Sequence, residues 1–161
     1  HILDFFKKNN LNFADISKIF VNQGPGNFSG LRSSLAVAKG ISLSKNLNLI
    51  GYNTFLWTCS KYFGKNNLIF SLIKFRKKYF VKKFDRNLNS LSMIEEITEE
   101  KIMRNNERKI IVIPQAQSEN FDKNILQLKD LKLVDLDHNE LVLLQLNGLL
   151  NEDLIKPLYL I

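Results

Sequence analysis

Cysteine, histidine and proline are scarce in this chain, at one, two and three residues out of 161. A single thiol, Cys59, can close no internal disulfide and build no cysteine-based zinc site. It falls in the apolar, aromatic stretch 55–63 and reads as a core thiol rather than a nucleophile, which would need a base beside it. His1 and His138 lie far apart and neither stands in an HxxxH or HExxH pattern, so no histidine-based metal centre is expected. His138 reads as a surface residue in the first turn of a helix. Apolar runs such as Leu141–Leu144 end at Gln145 or Asn147, well short of the roughly 20 residues that span a bilayer. No signal-peptide pattern is present. No Ser-His-Asp arrangement supports peptidase chemistry. These absences point to a reduced, cytoplasmic setting with no membrane partner. His1 stands where an initiator methionine would, and upstream residues are therefore expected in the parent protein.

Hydrophobic residues make up 45% and charged residues 24% of the chain, enough to build a core and too apolar for disorder. The net charge of +7 is concentrated. Nine cations lie between Lys61 and Arg86 against Asp85 alone, a local excess of +8 that leaves −1 elsewhere. Such a patch attracts phosphate backbones, although a solvated face is the simpler account of it.

The pattern alternates between helix and strand. Ile2, Phe5 and Phe6 fall at helical spacing up to Asn9-Asn10. Ile19-Phe20-Val21 reads as a strand entering the breaker Gly24-Pro25-Gly26. A helix then runs from Ser29 to about Lys45 with two packing faces, Leu31, Leu35, Ala38 and Ser42 on one and Ser29, Ser33, Ala36 and Gly40 on the other. A second strand spans 49–52, and Asn53-Thr54 caps a helix that Gly64 ends. This order predicts an α/β layered unit with parallel pairing. Residues 68–74 and 78–84 read as two strands around a turn at 75–77, with at least one wet surface. Further strands are expected at 93–97, 109–114, 130–136 and 158–161. Short and long helices are expected after Thr98 and over 139–150, the latter opened by Asp137 and Glu140. The break in pattern near 64–67 marks the expected boundary.

The most informative stretch is Gly24-Pro25-Gly26-Asn27-Phe28-Ser29-Gly30-Leu31-Arg32. Glycines at 24 and 26 allow backbone angles closed to other residues, Pro25 stiffens the turn, and Gly30 leaves room where the helix begins. A strand, a Gly-rich loop and a helix N-terminus could hold an anion on free amides. The spacing is neither GxxxxGK[ST] nor GxGxxG, so phosphate binding is permitted and not established.

GPGNFSGLRSSLAVAKGIS resembles the GPGSFTGLR signature and following AKG helix of the TsaB (YeaZ) family. Residues 15–23 are similar to the strand before that signature, 49–54 to the segment after it, and Pro157-Leu158-Tyr159-Leu160 to the family's closing P-Y-L element. Asn27 and Ser29 replace the usual Ser and Thr, Lys74-Phe75-Arg76 stands for a DAR turn, and Ile161 replaces a terminal Arg. The resemblance implies an α/β actin-like ATPase (ASKHA, ribonuclease H-like) fold of two lobes, with 1–64 the remainder of the first and 65–161 a smaller second, the opening strands of the first lobe being absent. It implies a non-catalytic scaffold and dimerization subunit of the complex that adds the threonylcarbamoyl group to N6 of adenosine 37 in tRNAs reading ANN codons. The implied partners are a TsaD-like catalytic subunit, a TsaE-like ATPase, a second copy of the chain, and tRNA through the complex. ATP would be used by the complex, with no cofactor or metal assigned to this chain and no catalytic residue in it.

Ile2, Phe5 and Phe6 together with Leu31, Leu35, Ala38 and Ile41 are the expected helical interface, since two amphipathic helices offer more apolar edge than one unit needs. Family resemblance places the TsaD contact and self-association on such helices. The alternative is that these side chains pack only onto their own sheet. Two other functions stand beside the scaffold: an actin-like phosphotransferase or nucleotidase acting alone, motivated by the loop at Gly24, and an RNA-binding module. For the latter, alternation is expected to put Lys74, Arg76, Lys78 and Lys82 on one strand surface, with Tyr79 and Phe80 interleaved.

Overall fold

The computed structural model describes residues 2–104, 109–150 and 155–160. The chain opens with α1 (Ile2–Lys8), then β1 (Lys18–Asn22), α2 (Phe28–Lys45) and β2 (Asn48–Tyr52). β1 and β2 pair in parallel, from Lys18 opposite Asn48 to Asn22 opposite Tyr52. α2 crosses between them because Asn27 caps its start, its side chain accepting from the Ser29 amide. The helix stops where Asn46 turns left-handed, at φ 52°. Leu35 and Ala38 of α2 pack with Val21 and Ile155 into a small core over this sheet.

α3 (Thr54–Cys59) follows, capped by Asn53, whose side chain accepts from the Leu56 amide at 3.0 Å. All six of its residues are buried. They pack beneath a second sheet of five strands ordered β5-β4-β3-β6-β7, built from β3 (Leu68–Phe75), β4 (Lys78–Asp85), β5 (Glu95–Ile97), β6 (Ile110–Pro114) and β7 (Leu131–Val134). β3 and β4 form an antiparallel hairpin, β5 extends it antiparallel, and β6 and β7 are parallel. α4 (Glu99–Arg104), α5 (Lys123–Leu126) and α6 (Asn139–Leu146) complete the order.

The expected wet surface of the hairpin is not formed. One face of the sheet, carrying Ile69, Ile73, Phe80 and Phe84, is covered by α3 and α6, which bring Phe55, Cys59, Leu141 and Leu144. The other, carrying Phe70, Leu72, Tyr79 and Val81, is covered by Ile102 of α4, Phe121, and Ile125 of α5. α5 and the 3-10 turn Gln115–Asn120, unforeseen in the sequence, belong to this second cover. α6 ends at Leu146 rather than Leu150, followed by Gly148 at φ 68°. The strand expected at the C-terminus is absent over 158–160, which have no regular secondary structure; Ile161 lies outside the described residues.

Candidate functional site

The loop after β1 is held from three directions. Gly24 has φ 117°, and a Cβ there would sit 2.8 Å from the Leu158 carbonyl oxygen and 3.0 Å from Leu31 Cδ1. The Gly24 amide donates to Asn22 Oδ1 at 2.8 Å, and its carbonyl accepts from the Thr54 amide at 2.9 Å. Gln23 is gripped by the C-terminal segment: its carbonyl accepts from the Leu158 amide at 2.7 Å, and its Nε2 donates to the Lys156 carbonyl at 2.9 Å. The sequence expectation for the other two glycines is corrected. Gly26 has no positive φ, and a Cβ on Gly30 would meet nothing nearer than Asn27 Cβ at 4.0 Å. Only Gly24 is demanded by backbone angle and close approach together.

At the start of α2 the Ser29 amide is capped by Asn27 Oδ1, and the Leu31 amide makes the first helical bond, to the Asn27 carbonyl. Side chains there turn to the C-terminal segment. Arg32 Nε donates to the Tyr159 hydroxyl at 2.9 Å, the guanidinium lies 3.8 Å over the Phe28 ring, and Phe28 stacks on Tyr159 at 4.9 Å between centroids. The closing P-Y-L element is thus a strap across the loop. Nothing in the sequence foretold the Arg32–Tyr159 contact, which joins positions 127 residues apart.

The expected helical interface separates into two sets. Leu31, Leu35 and Ala38 are buried to 8%, 5% and 7% exposure, because they are the face of α2 that lies on its own sheet. Here the packing alternative holds, and these three residues are not open for docking. Ile2 and Phe5 are exposed, while Phe6, in contact with the Phe13 ring, and Ile41 are half-buried. The opposite face of α2 is open: Ser33, Ala36, Val37 and Gly40 are all exposed, and a Cβ on Gly40 would meet nothing within 4 Å.

The basic strip is also corrected. A two-residue turn pairs Phe75 with Lys78, so odd positions of β3 share a face with even positions of β4. Lys74 therefore lies on the Tyr79 face and Lys78 and Lys82 on the other, with Arg76 at the tip at φ 58°. Lys78 Nζ is paired with Glu96 at 2.7 Å. Lys82 is half-buried, and desolvation pulls its amine below the usual lysine range. Lys74 Nζ pairs with Asp122 at 3.2 Å, and the Tyr79 hydroxyl donates to the same carboxylate. The Tyr79 and Lys74 hydrogen bonds hold Asp122 below the usual carboxylate range.

Arg76 reaches a cleft of about 640 Å³ lined by Gly26, Asn27, Phe28, Phe75, Tyr159 and Leu160 as well as itself. The cleft lies where the signature loop, the hairpin tip and the strap converge. Cys59 is fully buried, and desolvation pushes its thiol far above the ordinary range, with the Ser71 hydroxyl opposing in part. A thiol held neutral in the core is no nucleophile at neutral pH. His138, exposed, sets its ring 5.3 Å from Trp57 at the start of α6. Among the described residues no three His, Cys, Asp or Glu side chains are grouped to hold a metal, and no helix is long and apolar enough to cross a membrane.

Comparison with known proteins converges on one group. Residues 1–73 match the family model described as TsaD, tRNA N6-adenosine threonylcarbamoyltransferase. Two proteins named tRNA threonylcarbamoyladenosine biosynthesis protein TsaB are similar. That of Buchnera aphidicola subsp. Acyrthosiphon pisum is 28% identical over 144 residues, covering 80% of this chain and 65% of its own. That of Buchnera aphidicola subsp. Baizongia pistaciae is 34% identical over 95 residues, covering 56% of this chain and 42% of its own. The chain therefore spans less than two thirds of the length of either. YeaZ from Pseudomonas aeruginosa superposes with TM-score 0.64 at 12% identity, over 98% of this chain and 80% of that one. A second structure, described as an uncharacterized protein with similarity to peptidase YeaZ from Pseudomonas aeruginosa, gives 0.65 at 12% identity, over 99% and 81%. The fold is thus the α/β fold of YeaZ, and the sequence is similar to that of the two TsaB proteins.

Proposed function

We propose that the chain is a partner-binding, non-catalytic subunit of the machinery that makes threonylcarbamoyladenosine in tRNA, docking and activating a TsaD-like catalytic subunit. The reading is carried by the similarity to two proteins named for that biosynthesis. The open face of α2 supplies the physical means. Ser33, Ala36, Val37 and Gly40 leave a shallow, small-residue surface in solvent, against which a partner helix can approach closely. Ile2 and Phe5 of α1 are further exposed apolar side chains for a partner to cover.

Co-expression of the full-length protein with its TsaD-like subunit tests this. Val37→Arg should abolish co-purification, since an arginine in a close helix contact leaves a charge unpaired, while the circular dichroism stays that of the parent. Leu35→Arg is no substitute, because burial of that position would unfold the helix packing instead. Retention of the partner by Val37→Arg, or turnover of substrate by the purified chain alone, removes the proposal. A TsaE-like ATPase and a second copy of this chain belong to the same proposal as further partners, read out by the same purification.

A further inference from the structure

Two clefts flank the tip of the β3–β4 hairpin, and Arg76 lines both. One is the cleft of about 640 Å³ where Phe75 faces the signature loop and strap, with Phe28 and Tyr159 among its lining rings. The other, of about 470 Å³, is lined by Lys74, Arg76, Lys77 and Asn120. The first is aromatic and the second cationic with one amide. Lys74 is steadied there by Asp122, which offsets its charge; Arg76 and Lys77 have no carboxylate partner among the described residues.

The backbone supplies a separate observation. Arg76 holds φ 58° at the first position of a two-residue hairpin turn, a place usually given to glycine or asparagine because other residues are strained there. A long cationic side chain is kept at that position, at the junction of the two clefts. Adjacent aromatic and cationic surfaces are what unpaired nucleic acid requires, its base taking a ring face and its backbone taking the charge. Duplex would offer only its phosphates, since its bases are stacked away.

We propose that the hairpin tip binds an unpaired segment of RNA, one base entering the cleft of Phe28, Phe75 and Tyr159 while a neighbouring phosphate sits against Arg76, Lys77 and Asn120. Phe28 opens α2, but none of the site's residues belongs to that helix's open face of Ser33, Ala36, Val37 and Gly40. Loss of the partner protein and loss of RNA therefore fail separately.

The test is fluorescence polarisation of the full-length protein with a short labelled oligouridylate, the same strand made abasic, and a blunt RNA duplex, each across a salt series. Arg76→Gln and Lys77→Gln should each weaken oligouridylate binding several-fold and lower the salt slope by about 1. Lys132→Gln, an exposed cation on β7, should leave binding unchanged. Phe75→Leu should cost at least about fivefold on oligouridylate and nothing on the abasic strand, whereas Phe75→Trp, which keeps a ring and guards against a mere folding defect, should retain binding. Equal affinity for oligouridylate, abasic strand and duplex would reduce the site to general attraction for phosphate and overturn the proposal. So would Arg76→Gln behaving like Lys132→Gln, or no binding at all.

Discussion

Gly24 is where the sequence permits one residue only. Its φ of 117° is closed to ordinary side chains, and an added Cβ would also press on the Leu158 carbonyl at 2.8 Å, an atom of backbone that cannot rotate away. Gly24→Ala should therefore cost about 2–3 kcal/mol, lowering the melting temperature by about 4–10 °C for a chain of this size. Gly26→Ala is the control, its Cβ meeting Leu31 at 3.4 Å without a positive φ, and should stay within about 0.5 kcal/mol. Matched melting curves for the two variants would refute the account of the loop. The breaker itself was legible, since glycine and proline after a strand announce a turn whatever follows. Which glycine is obligatory was not, because that depends on a carbonyl 134 positions further along the chain, read only from the folded approach of Leu158.

At the scale of elements, local pattern placed β1, α2, β2 and α3, with the Gly24-Pro25-Gly26 breaker after β1 and Asn53 capping α3 as read; that Asn27 and Asn46 cap the two ends of α2 was not singled out in the sequence. Facing was harder. The strip of Lys74, Arg76, Lys78 and Lys82 follows from counting alternate residues straight through the hairpin, but a turn of two residues reverses the count, and pairing decides which lysines are neighbours. α2 posed a similar question, with two plausible packing faces and only one sheet. The structure buries the Leu31 face and leaves the Gly40 face open. Gly40 then has opposite meanings for the chain alone and for a docked one. Gly40→Ala should stabilise the isolated protein by about 0.5–1 kcal/mol, as expected for glycine replaced within an exposed helix, and should weaken capture of the TsaD-like partner by filling the close approach. Thermal melts and titration of the partner on the same variant separate the two effects. A variant that gained stability and kept full affinity would place the docking surface elsewhere.

Across the whole molecule, the two sheets share a core that Phe20 and Tyr52 enter from the smaller one, and the last described residues brace that smaller sheet without forming the strand expected there. Ile155, exposed to only 5%, completes the small core of Val21, Leu35 and Ala38, while Lys156 and Leu158 bond to Gln23 at the end of β1. Of the two cores on the five-stranded sheet, one takes nothing from that segment, and the other takes only Leu158 and Leu160, half-buried at its edge. Burial of Ile155 contributes about 1.5–3 kcal/mol, and each backbone-linked hydrogen bond about 1 kcal/mol, all of it to the smaller sheet. Truncation after Leu150 should therefore loosen the chain unevenly. In hydrogen exchange, the amides of β1, β2 and α2 should lose protection by about two orders of magnitude or more, a loss of roughly 3 kcal/mol or greater in local opening, while those of β3, β4 and β6 keep theirs. Leu31 would be among the first to exchange freely, since the helix start loses both its strap and the Phe28–Tyr159 stack. A uniform loss over both sheets would mean that the molecule opens as one unit, and the strap would then be a consequence of the fold instead of the clamp that closes its smaller half.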